Sequence, residues 1–291
     1  MSSNGEAAAP LAIVHRDDYL CAIHKPSGLL VHRTPLDRGE TRFAVQLLRD
    51  QIGCHVHPVH RLDRGTSGVL LFALDRDVAR ALGAQFLMRE VAKRYVAVVR
   101  GHPPDAGVID HPLARERDDY ERQPPNGRDD APQAAVTRYR RLADTELPRA
   151  VDRYPSSRYA LVELQPETGR RHQIRRHLKH IAHPVIGDAT YGKGRHNRLF
   201  KELFSSDRLL LACVELRLTH PVTGRPLVLA DPPADDFAHV TDALGWDRAL
   251  FDQPPRLPGD HPVRVDLAPS RQVCPLATAP CASCETKRGA V

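Results

Sequence analysis

The chain has 291 residues, 41% hydrophobic and 27% charged, a globular composition with length for one large or two ordinary domains. Its longest apolar runs, residues 69–74 and 209–214, are six residues each, far short of the roughly 20 that a membrane-spanning helix needs. No basic-then-apolar leader opens the sequence and six cysteines are too sparse for a disulfide scaffold, so the expectation is a soluble, cytoplasmic, reduced protein.

Residues 1–10 read as a leader. Residues 19–24 form a short apolar strand candidate, and Lys25-Pro26-Ser27-Gly28 supplies a turn. Residues 43–51 carry Ala44, Leu47 and Leu48 at helical spacing. After the histidine-rich 55–60 comes Arg61-Leu62-Asp63-Arg64-Gly65-Thr66-Ser67-Gly68, leading into a buried-strand candidate at 69–74. Asp75 is a candidate N-cap for a helix to about residue 90, whose apolar Val78, Leu82 and Phe86 recur every fourth position. Residues 93–100, β-branched and aromatic, read as another strand. Residues 115–133 are dominated by charge, Pro, Gly and Asn, a surface insertion. Strand candidates return at 136–142, 159–164 and 209–219, the last meeting a hairpin signal at His220-Pro221-Val222-Thr223-Gly224. Beyond Leu250 seven prolines and no periodicity mark a tail over 251–291. One domain over 11–250 is expected, of α+β class, with a mixed or antiparallel central sheet flanked by helices.

The net charge is +6, and 36 of the 42 basic residues are Arg. Guanidinium suits phosphate and RNA through its planar fork of donors, but a GC-rich genome also enriches Arg, so clustering matters more than the total. Residues 167–181 carry Arg170, Arg171, Arg175, Arg176 and Lys179 against the single acid Glu167. Read as one helix, they place His172, Arg175, Arg176 and Lys179 on one face and Ile174, Leu178 and Ile181 on the other. A cationic face without interspersed acids points to phosphate, and hence to RNA.

Asp63 lies between Arg61 and Arg64, just before small residues and a buried strand. Nearby positive charge favours the ionised form of a carboxyl group. Such a carboxylate serves either as a nucleophile or stabiliser at a sugar or base, or as one half of a structural Arg–Asp pair. The local sequence leaves both open. Other motifs fail. His55, His57 and His60 have no second cluster of ligands at metal spacing. GDATYGKG at 187–194 has Gly194 where a phosphate loop needs Ser or Thr. Pro280-Cys281-Ala282-Ser283-Cys284 matches half a zinc-deaminase signature, but the chain contains no His-x-Glu. Cys274, Cys281 and Cys284 leave only a minor metal reading for the tail.

His60-Arg61-Leu62-Asp63 followed by Thr66-Ser67-Gly68 resembles the HRLD-x-x-TSG motif of the RluA-type pseudouridine synthases. The resemblance continues through HKPSGLLVHR (24–33), KRYVAVVRG (93–101), ETGRRHQIRRHL (167–178), HPVIGDATYG (183–192) and LLLACVELRLTHPVTG (209–224). It spans roughly 11–231 in the family's order, and is strongest toward members acting on a tRNA uridine near the junction of the acceptor and T stems. It implies the pseudouridine synthase fold, with a cleft between two halves of the sheet. The implied reaction needs no metal, nucleotide or other cofactor: the N1–C1′ bond of uridine breaks, uracil rotates, and C5 rejoins C1′. Carried over by position, Asp63 is the essential carboxylate, attacking either base or sugar. Arg61 helps extrude the uridine, Tyr95 stacks on it and handles a proton, Arg175 pairs with Asp63, and Ile174 and Leu211 wall the pocket. With no room for an added RNA-binding domain before Leu11, Arg170, Arg171, Arg176 and Lys179 are the expected RNA contacts of a monomer. The rivals are a ribosomal RNA synthase of the same family and a non-catalytic RNA-binding protein in which Asp63 is structural.

Overall fold

The computed structural model describes residues 9–33, 39–116, 131–233 and 235–251. Residues 1–8 of the expected leader, 117–130 of the insertion and 252–291 of the tail, with Cys274, Cys281 and Cys284, lie outside the described residues. In chain order the elements are β1 (Ile13–Arg16), β2 (Leu20–Lys25), α1 (Ala44–Ile52), β3 (His57–Pro58), β4 (Ser67–Ala73), α2 (Arg76–Leu87), β5 (Ala92–Arg100) and β6 (Ala106–Asp110). They continue with β7 (Val136–Leu147), β8 (Ser157–Pro166), α3 (Gln173–His180), α4 (Gly194–Phe204), β9 (Leu211–Thr219), β10 (Pro226–Ala230) and α5 (Asp235–Ala243).

The strands form one sheet in the order β1-β2-β4-β9-β5-β8-β7-β6, with β3 added on β4 and β10 on β9. Every named pairing is antiparallel except β4 with β9, which meet in parallel only at Ser67↔Ala212 and Gly68↔Cys213. This brief joint divides the sheet into two halves, and the cleft opens beside it. Gly68 is required there: its φ is +101°, and a Cβ would stand 2.0 Å from the Cys213 carbonyl oxygen.

Alternation along the central strands sends side chains into two cores. From β5, Tyr95, Ala97 and Val99 join one cluster with Leu82 of α2 and Ile174 and Leu178 of α3. Val96 and Val98 join the other, with Phe200 of α4 and Phe237 and Val240 of α5. Helices therefore cover both faces, and the site faces the first core. The expected N-cap is present: the Asp75 side chain accepts from the amides of Asp77 and Val78.

Two sequence readings are corrected. The basic stretch 167–181 is not one helix, since α3 begins at Gln173. His172 takes a left-handed backbone (φ 54°), and the Gln173 side chain ties the preceding loop to β7. Its Oε1 accepts from Thr168 Oγ1 and the Arg170 amide at 2.7 and 3.0 Å, while its Nε2 donates to the Val136 carbonyl at 3.0 Å. The period of Ile174, Leu178 and Ile181 is that of α3, and the residues before it form a turn held by side-chain hydrogen bonds. Second, β7 runs past residue 142 to Leu147 by way of a bulge between Arg141 and Ala143. The sequence reading left out α4 and α5, although Leu199, Phe200, Leu203 and Phe204, and Phe237 with Val240, recur at helical spacing; Leu199, Phe200, Phe204, Phe237 and Val240 pack in the second core.

Candidate active site

The loop bearing Asp63 is strapped to the turn after β2. Buried Lys25 donates from Nζ to the carbonyls of Pro26, Leu29 and Arg64 at 3.0, 2.7 and 3.1 Å. Ser27 Oγ donates to the Gly65 carbonyl at 2.7 Å, and the Gly28 amide to that of Arg64 at 2.8 Å. Burial drags the Lys25 pKa down to about 7, with the Arg208 charge acting the same way. Leu62 is buried behind the loop, so Asp63 projects from a fixed support. His60, one of the histidines first weighed as a ligand, packs on Phe86 with ring centroids 5.0 Å apart and accepts from the Leu71 amide.

Arg175, on α3, reaches Asp63 through Nη1 at 3.2 Å. Its other edge is bidentate with Asp188, Nε to Oδ2 at 2.7 Å and Nη2 to Oδ1 at 2.9 Å. Burial works against the Arg175 cation, yet the Asp188 and Asp63 carboxylates raise its pKa above the ordinary value. Burial likewise works against the Asp188 carboxylate, but the Arg175 bonds and the amides of Tyr191 and Thr190 hold its pKa below the usual range. Fork-to-carboxylate geometry of this kind fixes direction as well as charge.

A cleft of about 670 Å³ opens over Asp63. Its lining includes Tyr95, Ile174, Arg175 and Leu211, and Arg61, Arg170, Arg171 and Arg176 also border it. The catalytic and pocket-wall residues expected from the sequence therefore converge on one space. Tyr95 is nearly buried, and burial, with the neighbouring Cys213 and Asp63, pushes its phenol pKa well up. The phenol stays protonated. Arg61 is exposed at the rim.

The cationic face differs from expectation. Acids distant in sequence compensate it: Arg175 is held by Asp188 and Asp63, and Arg176 approaches Glu116 at 3.5 Å and donates to the Ala114 carbonyl at 2.9 Å. Lys179 is exposed, its ammonium 5.6 Å from the Tyr191 ring centroid, and is not part of the cleft lining. Asp188, Tyr191, Glu116 and the acid-linked role of His172 escaped the sequence reading. Asp188 and Tyr191 lie in the segment rejected as a phosphate loop, and Glu116 lies in the stretch read only as an insertion. Among the described residues no group of three His, Cys, Asp or Glu side chains is arranged to hold a metal ion, and no helix is long and apolar enough to cross a membrane.

The RNA pseudouridylate synthase family model matches residues 19–180. The chain is 52% identical over 236 residues to the tRNA pseudouridine synthase C of Pectobacterium carotovorum, spanning 81% of this chain and 62% of that protein. It is 48% identical to the tRNA pseudouridine synthase C of Vibrio cholerae, spanning 83% of this chain and 98% of that one. Among solved structures it resembles human RNA pseudouridylate synthase domain containing 4, with a TM-score of 0.59, 30% identity, and coverage of 80% and 93% of the two chains. With the carboxylate, guanidinium and aromatic ring meeting at the sheet joint, these likenesses place the chain in the RNA pseudouridylate synthase family, whose members are isomerases of uridine in RNA.

Proposed function

We propose that this protein isomerises one uridine of tRNA to pseudouridine, at the position near the junction of the acceptor and T stems known as residue 65. The observation that carries the reading is the Asp63–Arg175 pair, 3.2 Å apart, beneath a cleft that is also lined by Tyr95, Ile174 and Leu211. The names of the tRNA-modifying relatives support the choice of RNA.

In this reading the target nucleotide leaves its stack, at a cost of a few kcal/mol, and Arg61 at the rim helps replace the lost stacking. Tyr95 lies under the extruded uracil, with Ile174 and Leu211 excluding water from its edges. Asp63, aimed by Arg175, engages the base or sugar carbon as the N1–C1′ bond opens. Uracil turns and C5 bonds to C1′. The reaction is balanced without redox change and calls for no cofactor. RNA is held in part by Arg170, Arg171, Arg176 and Lys179.

The test is to incubate the purified protein with unmodified tRNA transcripts and with ribosomal RNA, then map pseudouridine at nucleotide resolution. A single new pseudouridine at tRNA position 65 is expected. Modification of ribosomal RNA alone would overturn the tRNA assignment, and modification of neither would overturn the enzyme reading.

A further inference from the structure

His172 borders the cleft beside Asp63, with Nε2 4.0 Å from the Asp63 Oδ2 oxygen. On its other side Nδ1 lies 3.1 Å from Glu116 Oε2 and 2.9 Å from the Tyr191 hydroxyl. The Tyr191 hydroxyl in turn donates to Glu116 Oε1 at 2.5 Å. Hydrogen counting fixes the tautomer. Tyr191 has one hydroxyl hydrogen, and it is directed to Glu116. Burial and the adjoining Glu116 raise the Tyr191 pKa, so that hydrogen stays in place. Burial opposes the Glu116 carboxylate, but the Tyr191 bond, the Arg176 charge and the hydrogen bond from His172 lower its pKa, so it too presents only lone pairs. Nδ1 therefore faces two acceptors and must carry the ring hydrogen. In the neutral ring, Nε2 is left as a bare lone pair on the cleft side.

Two further observations fit a functional role for this side chain. His172 holds a left-handed backbone, φ 54° and ψ 23°, a conformation that side chains other than Asn, Asp and His adopt rarely and that persists where surrounding contacts over-determine it. Burial lowers the pKa of the ring, with Asp63 and Glu116 pulling the other way and Arg175 and Arg171 reinforcing burial. The neutral form with its free lone pair is thus favoured near neutral pH.

The isomerisation proposed above, on which this step rests, requires such a group. Once C5 has bonded to C1′, C5 still carries its hydrogen. Rearomatisation sends that proton to a base, the C5–H electron pair restores the C5=C6 double bond, and the C6=N1 π pair returns to N1. N1 then takes up one proton, so none is gained or lost overall. Of the groups around Asp63, Arg175 is a cation doubly tied to carboxylates and Tyr95 is a phenol pushed toward its protonated form. We propose that His172 Nε2 is the base that takes the C5 proton, with Glu116 orienting the ring through Nδ1–H. The imidazolium so formed is flanked by the Asp63 and Glu116 carboxylates, which stabilise it. A carboxylate–imidazole dyad beside a reacting carbon is a recurring way to move a proton.

The experiment compares wild type, His172→Asn and Glu116→Gln in single-turnover reactions on tRNA transcripts made with ordinary or C5-deuterated uridine. Asn tolerates the left-handed backbone and retains a donor toward Glu116, while removing the nitrogen that faces Asp63. Loss of a general base typically costs 10²–10⁴-fold. His172→Asn is expected to form pseudouridine at least 100-fold more slowly, with deuterium slowing it at least a further twofold relative to wild type and RNA affinity within threefold. Glu116→Gln leaves the imidazole present and is expected to be about tenfold slower with the same rise in isotope effect. A His172→Asn rate within threefold of wild type overturns the proposal, as does slowing of either variant without a larger isotope effect. Wild type that makes no pseudouridine on any transcript overturns the isomerase reading itself.

Discussion

Arg175 gives one full edge of its guanidinium to Asp188, at 2.7 and 2.9 Å, and has a single nitrogen left for Asp63. Asp188 is thereby the residue that sets the angle at which Arg175 meets the Asp63 carboxylate. Its side chain is completely buried and also accepts from the amides of Thr190 and Tyr191, both at 2.9 Å. Asp188→Asn keeps an acceptor for those amides but removes the countercharge. Breaking one partner of a buried pair costs about 3–5 kcal/mol, roughly 6–10 °C in melting temperature for a chain of this size. Turnover is expected to fall at least tenfold, by loss of aim at Asp63. Thermal melts and single-turnover rates check both, and a destabilised variant with unchanged turnover would separate Asp188 from the reaction.

Asp63→Asn replaces one carboxylate oxygen with an amide nitrogen at nearly constant shape. The loop straps from Lys25, Ser27 and Gly28 all end on backbone carbonyls of Arg64 and Gly65, so the loop should survive the change. The variant is expected to bind tRNA within a few fold of wild type and to yield no pseudouridine after prolonged incubation. Filter binding and modification mapping on the same preparation decide the matter. Normal turnover in this variant would remove Asp63 from the chemistry.

Tyr95 offers a ring and a hydroxyl, and the two can be told apart. Since burial keeps the phenol protonated, the ring face is the larger contribution expected. Stacking of a base on an aromatic side chain is worth about 1–3 kcal/mol, or roughly 5–150-fold in rate or affinity. Tyr95→Ala is therefore expected to lose about 10–100-fold in single turnover, and Tyr95→Phe much less. Equal losses in the two variants would shift the role to the hydroxyl.

Local signals were legible where a short-range rule governs. The cap at Asp75, the all-buried β4 and the two-sided β5 follow from a carboxylate before a helix and from runs of apolar residues. Asp63, Tyr95, Arg175, Ile174 and Leu211 were reached through motif resemblance, and the fold then gathered them around one cleft. What composition and period could not reveal was which acids answer which cations. Glu116 is 56 residues from His172, and Asp63 is 112 from Arg175, so a stretch that looks uncompensated along the chain is compensated by acids brought to it by the fold. The same limit explains the misread helix. The period of Ile174, Leu178 and Ile181 does mark α3, but nothing apolar in residues 167–172 fixes where it starts, and Gln173 ties that segment to Val136 and Thr137 on β7, a contact without local trace.

Lys179 is exposed, whereas Arg175 and Arg176 are engaged by carboxylates. Of these three it is the cation expected to contribute most simply to phosphate attraction. Each phosphate contact neutralised by a protein cation contributes about 0.7–0.9 to the slope of log K against log salt concentration. Lys179→Ala is expected to lower RNA affinity and to reduce that slope by roughly one, leaving the single-turnover rate at saturating protein unchanged. Arg176→Ala should do more than weaken binding, because it also releases Glu116. An unaltered salt slope for Lys179→Ala would show that this end of α3 does not meet the backbone of the RNA.

His177 ties α3 to its surroundings and makes the fold sensitive to acid. Its ring is fully buried, with Nδ1 2.9 Å from Thr137 Oγ1 and Nε2 3.0 Å from the His111 carbonyl. Burial is the main cause that takes its pKa from 6.5 to about 4, with the His111, His180 and Arg176 charges adding to it and the His111 carbonyl bond opposing. Between pH 6.5 and pH 4 the unfolded chain binds a proton that the folded chain does not, so stability falls as pH drops through that window. At pH 5 this one group costs about 2 kcal/mol. His177→Gln does not titrate there and can still donate and accept, so its loss of stability from pH 7 to pH 5 should be about 2 kcal/mol smaller than that of wild type. Urea unfolding of both proteins at the two pH values measures the difference, and equal losses would mean that the acid sensitivity resides in other groups.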